Sequence, residues 1–311
     1  MTFQEGQRSI RMMGTKIDLS VTVQENPELV LDTIVALLTK YEHRFSANDD
    51  ASELMAVNNN AGITPVIVHP ELFELIQIGK EHSLAENSLL NIAIGPLIQT
   101  WRIGFDDAKV PTDEEIQSMI SITNPNEIIL DEVNHSVYLT KKGMKIDLGA
   151  LAKGYIADRI IDYLTEIKTE SALINLGGNL VTFGPQMKRE DLLWRIGIQN
   201  PVETRGHSQI ILKVPNKSVV TSGIYERHLK QNGQTFHHIF NPKTGYPVET
   251  DLASLTIVSD LSVDGEIWTT RLFGQSPDDI LTIVNTTPHI ECLLISQNGE
   301  ILFSDGLNKY L

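Results

Sequence analysis

One cysteine, Cys292 in the apolar run ECLLIS, is all the thiol this 311-residue chain contains. A single thiol closes no internal disulfide, and a thiol in such a run reads as a buried strand residue. No stretch approaches the roughly 18 apolar residues of a membrane span, so none of the chain is expected in a bilayer. Basic residues are scarce as well: 25 Lys and Arg stand against 40 Asp and Glu, a formal net charge of −15. That balance weighs against nucleic acid or an anionic membrane surface as partner, and a polyanionic ligand then needs a local exception such as a metal ion. The N-terminal MTFQEGQRSIRMMGTKIDLSVTV lacks both the apolar stretch of roughly 7–15 residues and the small-residue cleavage site of an export signal, so a cytoplasmic location is expected. Equally missing are GxGxxG after a strand, GxxxxGK[ST], GxSxG, HExxH and CxxC, which removes the usual nucleotide, hydrolase and zinc signatures.

What is present is ordinary globular composition, with 41% apolar and 21% charged residues. The length of residues 1–311 suits one large domain or two closely packed lobes. RSIRMMGTKIDLSVTV alternates like a strand or hairpin with Gly14 at a turn, and Asn26-Pro27 opens an amphipathic helix. SANDDASELMAVNNNAG reads as a loop with one short helix capped by Asp49 or Asp50. PELFELIQIGKEHSLAEN is a second amphipathic helix, and NIAIGPLIQTWRIGF a Gly/Pro-broken apolar loop. ESALINLGGNLVTFG reads as one buried strand with a Gly-Gly kink, and Asn232-Gly233 as a hairpin turn. Tight turns between most strands favour an α+β fold with mostly antiparallel sheets.

Four stretches carry chemistry. KIDLGALAKGY reads as a strand ending at Asp147, a turn at Gly149 and a helix from about Ala150. Free N–H groups, an unpaired carbonyl and Lys153 suit an anion with its cation, or else describe an Asp cap, an exposed lysine and a glycine packing contact. LINLGGNL leaves room for a flat ligand or forms a bulge. In HHIFNPKTGYP, His237 and His238 point to opposite faces of a strand, so only one of them can face a given cleft; it is a structural or solvated histidine or, beside a metal and a phosphoanhydride, is placed for proton transfer. Glu266 and Thr270, four apart, share a helix face and suit Mg²⁺, or are an exposed carboxylate and a plain helix threonine.

Taken in order, these stretches resemble the ApbE family of FAD:protein FMN transferases. The resemblance rests on MGT at 13–15, SELMAVN at 52–58, GPLIQTWRIG at 95–104, DLGALAKGYIAD at 147–158, NLGGN at 175–179, TSGIYER at 221–227, HHIFNPKTGYP at 237–247 and TTRLFG at 269–274. It implies an ApbE-like fold and a Mg²⁺-dependent enzyme that cuts FAD, moves FMN onto a threonine hydroxyl of an acceptor flavoprotein and releases AMP. A flavin-dependent reductase is one candidate acceptor. By position, the resemblance assigns Met13, Leu89, Leu90, Asn91, Asp147, Lys153 and Ile239 to FAD. It assigns the Ala150 carbonyl, Glu266 and Thr270 to the metal, and His238 to acid/base work.

The chain departs from the family pattern in several places. The usual Asp-x-x-x-Thr metal pair is present only as Glu266-x-x-x-Thr270, because Trp268 stands four after Asp264; both carboxylates stay open as the ligand. Leu89-Leu90-Asn91 replaces Ala-Phe-Asp, Asn241-Pro242 replaces Asp-Pro, and Ser46-Ala47-Asn48 replaces Ser-Thr-Tyr. A Mg²⁺-dependent FAD pyrophosphatase and a non-catalytic FAD-binding module are the alternative readings.

Overall fold

A hairpin opens the fold in the computed structural model, which describes residues 3–204, 206–231 and 233–311. Strands β1 (Gln4–Met12) and β2 (Thr15–Val23) pair antiparallel, joined by Met13 at φ 51° and Gly14 at φ 67°. Two positive φ values give a turn whose twist matches the strands it joins. Asn26 accepts the Leu29 N–H and Pro27 starts α1 (Pro27–Phe45), which buries Leu31, Ile34 and Leu38 at helical spacing. The next helix, α2 (Glu53–Asn59), is capped by Ser52 and not by Asp49 or Asp50; Asp49 instead accepts the Ala51 N–H inside the preceding loop.

After β3 (Val66–Ile67) comes α3 (Pro70–Leu84), with the His69 side chain accepting the Glu71 N–H. NIAIGPLIQTWRIGF, expected as a loop, is a 3-10 turn at Ile92–Ile94 running into α4 (Gly95–Trp101). Pro96 falls in the first turn, where no intrahelical partner exists for the N–H it lacks. The capping box of Thr112 and Glu115 opens α5 (Asp113–Ile120), followed by β4 (Ile128–Asp131) and β5 (Ser136–Leu139).

The strand expected to end at Asp147 is absent, and the helix expected from Ala150 starts later, as α6 (Ala152–Glu166). The cause is local: the Asp147 N–H bonds to Ile92 O outside any ladder, and Leu148 O takes the N–H groups of Leu151 and Ala152 to close a turn first. LINLGGNL is likewise two strands, β6 (Ser171–Leu176) and β7 (Asn179–Phe183), because Gly177 and Gly178, at φ 71° and 100°, complete a hairpin in place of a kink.

The remainder alternates as expected through β8 (Trp194–Gln199), β9 (Ser208–Val214), β10 (Ser218–Gly223), β11 (His228–Gln231) and β12 (Gln234–His237). Of the expected Asn232-Gly233 turn, Asn232 lies outside the described residues. The chain closes with β13 (Leu252–Ser259), α7 (Ser262–Leu272), α8 (Pro277–Thr286), β14 (Ile290–Ser296) and β15 (Ile301–Phe303).

Among the described residues, eight strands form one sheet in the order β1-β2-β6-β7-β10-β13-β14-β15. Every neighbouring pair in it is antiparallel, so the architecture is α+β. All residues of β13 are buried, as expected of a central strand covered on both faces. A core of Ile17, Leu31, Ile76, Ile156 and Ile174 joins the sheet to α1, α3 and α6, while Trp194, Leu212, Val219 and Leu293 pack the β8–β9 hairpin onto the sheet. No described helix is long and apolar enough to cross a membrane.

Candidate active site

The site is built where α6 meets α7. Gly154 permits the approach, because a Cβ there would stand 2.6 Å from Ser262 O and 2.7 Å from Val263 Cα. Leu261, the residue before α7, offers no capping side chain. Asp158 of α6 does the capping from outside, accepting the N–H groups of Ser262 at 2.7 Å and Val263 at 2.9 Å. Burial pushes the Asp158 carboxyl up to about 6, against the pull of those two bonds.

In the first turn of α6, Lys153 Nζ reaches across to Glu266 Oε1 of α7 at 3.1 Å. Glu266 is 4% exposed, and Asn179 Nδ2 donates to the same oxygen at 3.0 Å. Among the described residues Oε2 has no hydrogen-bond partner. Thr270, one turn further along α7, is unusual among the helix threonines. Thr33, Thr39 and Thr165 each donate to the carbonyl four residues back, whereas the Thr270 hydroxyl makes no such bond. The exposed Ala150 carbonyl also accepts none of the bonds that close the turn before α6. A carbonyl, a carboxylate oxygen and a hydroxyl, all without partners on adjoining elements, are hard donors of the kind Mg²⁺ takes. Burial, with the repulsion of Asp260, pushes the Asp264 carboxyl up, and its charge also acts on Asp158.

The two histidines differ in what they have left to offer. His237 Nε2–H donates to Val248 O at 2.9 Å and its Nδ1 accepts the Ile239 N–H at 3.2 Å, so both nitrogens are committed. His238 makes one bond, from Nδ1 to Arg227 O at 3.2 Å. A carbonyl only accepts, so Nδ1 carries the proton and the lone pair sits on Nε2. Burial, helped by the charges of Arg227, His237 and Lys153, pushes this imidazole down to about 4. It is therefore neutral near pH 7 and able to take a proton.

Arg227 is the hub of the opposite side. A Cβ on Gly104 would meet its Cδ at 3.0 Å, and a Cβ on Gly14 would meet Nη2 at 3.5 Å, so its side chain lies over the β1–β2 turn and the loop after α4. Its charge also reaches Asp147, whose carboxyl is pushed up by burial and accepts the Gly149 N–H at 2.8 Å. Among the described residues the guanidinium makes no ion pair.

The remaining expected residues line the neighbouring segments. The Met13 N–H donates to Glu42 Oε1 at 2.8 Å, and the Leu89 N–H to Arg271 O at 3.3 Å. Leu90 is 1% exposed within the main core, which leaves its main chain as the part able to meet a ligand. Asn91 accepts the Ala93 N–H and donates to Thr123 O, so its amide is spent on shaping the turn. Ile239 packs on the core beside α7. Two surface concavities, one lined by Glu71, Glu74 and His135 and the other by Asp251, Ser296 and Gln297, contain none of these residues.

Reasoning from sequence missed Arg227, Asn179 and Asp158. Each is the last residue of a stretch noted for other reasons, in TSGIYER, NLGGN and DLGALAKGYIAD. A polar residue directly after an apolar or glycine-rich segment was the available signal.

An antiparallel sheet carrying a buried carboxylate paired with a lysine, and a histidine held neutral near pH 7, is the frame of an α+β protein suited to group transfer or ligand binding. The ApbE family model matches residues 13–294. A FAD:protein FMN transferase of Klebsiella pneumoniae (strain 342) is 40% identical over 293 residues, covering 94% of this chain and 90% of that one. One of Treponema pallidum (strain Nichols) is 32% identical, covering 89% and 80%. The ApbE crystal structure from Thermotoga maritima superposes with a TM-score of 0.90 at 25% identity, over 99% of both chains. The chain belongs to the ApbE family.

Proposed function

We propose that this protein transfers FMN from FAD to a threonine hydroxyl of an acceptor flavoprotein, releasing AMP. What supports this reading is the α6–α7 crossing, where Lys153 and Asn179 both bond Glu266 Oε1, together with a His238 that is neutral near pH 7 and whose Nε2 has no partner among the described residues. FAD is the substrate; its diphosphate would lie among Lys153, Arg227 and the first turn of α6, with Asp147, Met13, Leu89, Leu90, Asn91 and Ile239 along its flanks. The Ala150 carbonyl, Glu266 and Thr270 would hold Mg²⁺, which when bound neutralises charge on the diphosphate oxygens.

His238 Nε2 takes the proton from the threonine hydroxyl as its oxygen attacks the FMN phosphorus. A new P–O bond forms to threonine and the P–O bond to the AMP phosphate breaks, so AMP leaves with that electron pair. Lys153 and Arg227 hold the spreading negative charge in place. Residues 1–311 act as one unit in this reading. The lone Cys292 needs no oxidising compartment, which supports a cytoplasmic site of action.

The test is incubation with FAD and Mg²⁺, with and without a threonine-bearing flavoprotein, reading AMP and the acceptor mass. AMP that appears only with acceptor, together with the added FMN mass, is the expected result. Rapid AMP and free FMN without acceptor means hydrolysis, and tight FAD binding without AMP under any metal means a binding module.

A further inference from the structure

Five polar side chains form a closed ring between α6, β7 and α7. Asp158 accepts the Ser262 N–H, and Ser262 Oγ–H donates to Asn179 Oδ1 at 2.8 Å. Asn179 Nδ2 donates to Glu266 Oε1 at 3.0 Å, and Glu266 pairs with Lys153 at 3.1 Å, back on α6. Asn179 is 1% exposed and Ser262 0% exposed, so water does not substitute for these bonds.

The direction of each bond follows from its neighbour. A carboxylate only accepts, so the Asn179 amide must turn its NH₂ to Glu266. Its oxygen then faces Ser262, which must donate, and Ser262 Oγ accepts in turn from Ser218 Oγ at 3.0 Å. Both bonds to the Glu266 carboxylate fall on Oε1, which restrains its last torsion and leaves Oε2 without a hydrogen-bond partner among the described residues.

We infer that Asn179 is a positioning residue: it locks Glu266 in the rotamer that offers Oε2 to a divalent cation, and Ser262 and Asp158 hold Asn179 in that orientation. This deepens the proposed function and rests on its reading of Glu266 as a cation ligand. Asn179 touches neither FAD nor the cation in this arrangement. Its loss should therefore weaken the cation and spare the dinucleotide.

The experiment compares wild type with Asn179→Leu, of similar volume, and Ser262→Ala, which cuts only the link behind the asparagine. Mn²⁺ binding is measured by equilibrium dialysis with FAD present and no acceptor, beside FAD binding without metal and thermal midpoints. Asn179→Leu should weaken Mn²⁺ roughly ten- to a hundredfold with FAD affinity held, and Ser262→Ala should do the same to a smaller degree. Ser262→Ala keeps the test alive if the leucine variant does not fold. Wild-type Mn²⁺ affinity in a folded variant, or equal losses for Mn²⁺ and FAD, overturns the positioning role. No Mn²⁺ binding by wild type overturns the cation reading itself, and the inference with it.

Discussion

The two parts of the candidate site are made differently. The α6–α7 wall is buried and cross-bonded, from the Asp158 cap through Asn179 to Glu266, and the helices touch at Gly154. The facing rim of Arg227 and His238 hangs on a single side-chain bond at the end of β12, and Arg227 itself is exposed. In the proposed reading, a wall of this kind suits a small hard ion, whose geometry is fixed, whereas a rim with an unbonded His238 Nε2 and a guanidinium that makes no ion pair among the described residues suits a dinucleotide and then a protein. Cross-bonded and lightly held side chains thus belong to different elements of the candidate site.

Breaking the rim at its base should have the largest effect. His238→Ala should lower the transfer rate by about 10²–10⁴-fold while FAD still binds; stopped-flow AMP release beside FAD titration checks this, and a normal rate removes His238 from proton transfer. Breaking the wall comes next. Thr270→Val removes a hydroxyl at little cost in volume and should reduce AMP release by roughly a hundredfold at fixed Mg²⁺, with partial recovery at high Mg²⁺. An unchanged Mg²⁺ requirement would remove Thr270 from the cation site.

A gentler change sharpens the contrast. Arg227→Met keeps the side chain's length and should raise KM for FAD about tenfold through one lost charge-assisted contact, with no change in the Mg²⁺ concentration needed for half-maximal rate. If the Mg²⁺ dependence shifts with it, the two sides are not independent.

The smallest effect is on stability against pH, and it has opposite signs on the two sides. The folded state lowers His238 from 6.5 to about 4, so its contribution is present above pH 6.5 and is lost as pH falls through 4. It raises Asp158 from 3.8 to about 6, so that contribution is full below 3.8 and is lost as pH rises through 6. Urea midpoints between pH 7 and pH 4 should therefore fall less in His238→Ala than in wild type, and equal slopes would refute the depressed imidazole.

Much of this was legible in the sequence. Strand alternation, the Asn26-Pro27 start and the short turns gave the α+β class, because period and cap chemistry are local properties. Three local readings failed where one neighbouring partner outcompeted another. Ser52 outcompeted Asp49 and Asp50 as a cap, and Leu148 O captured two N–H groups before α6 could begin. Gly177-Gly178 turned the chain back fully, where a kink was expected. The candidate ligands followed from motif order, but the ring that aims Glu266 did not. Along the four bonds that join Asp158, Ser262, Asn179, Glu266 and Lys153, the partners are 83 to 113 positions apart, and only folding brings them together.

Cys292 has a practical consequence. It is 0% exposed, unpaired, and burial pushes its thiol up to about 12. Maleimides and fluorophores aimed at thiolates will pass the folded protein by. A single cysteine introduced at an exposed site such as Phe105, next to Gly104 under Arg227, would then carry a label without background and report in real time when an acceptor docks.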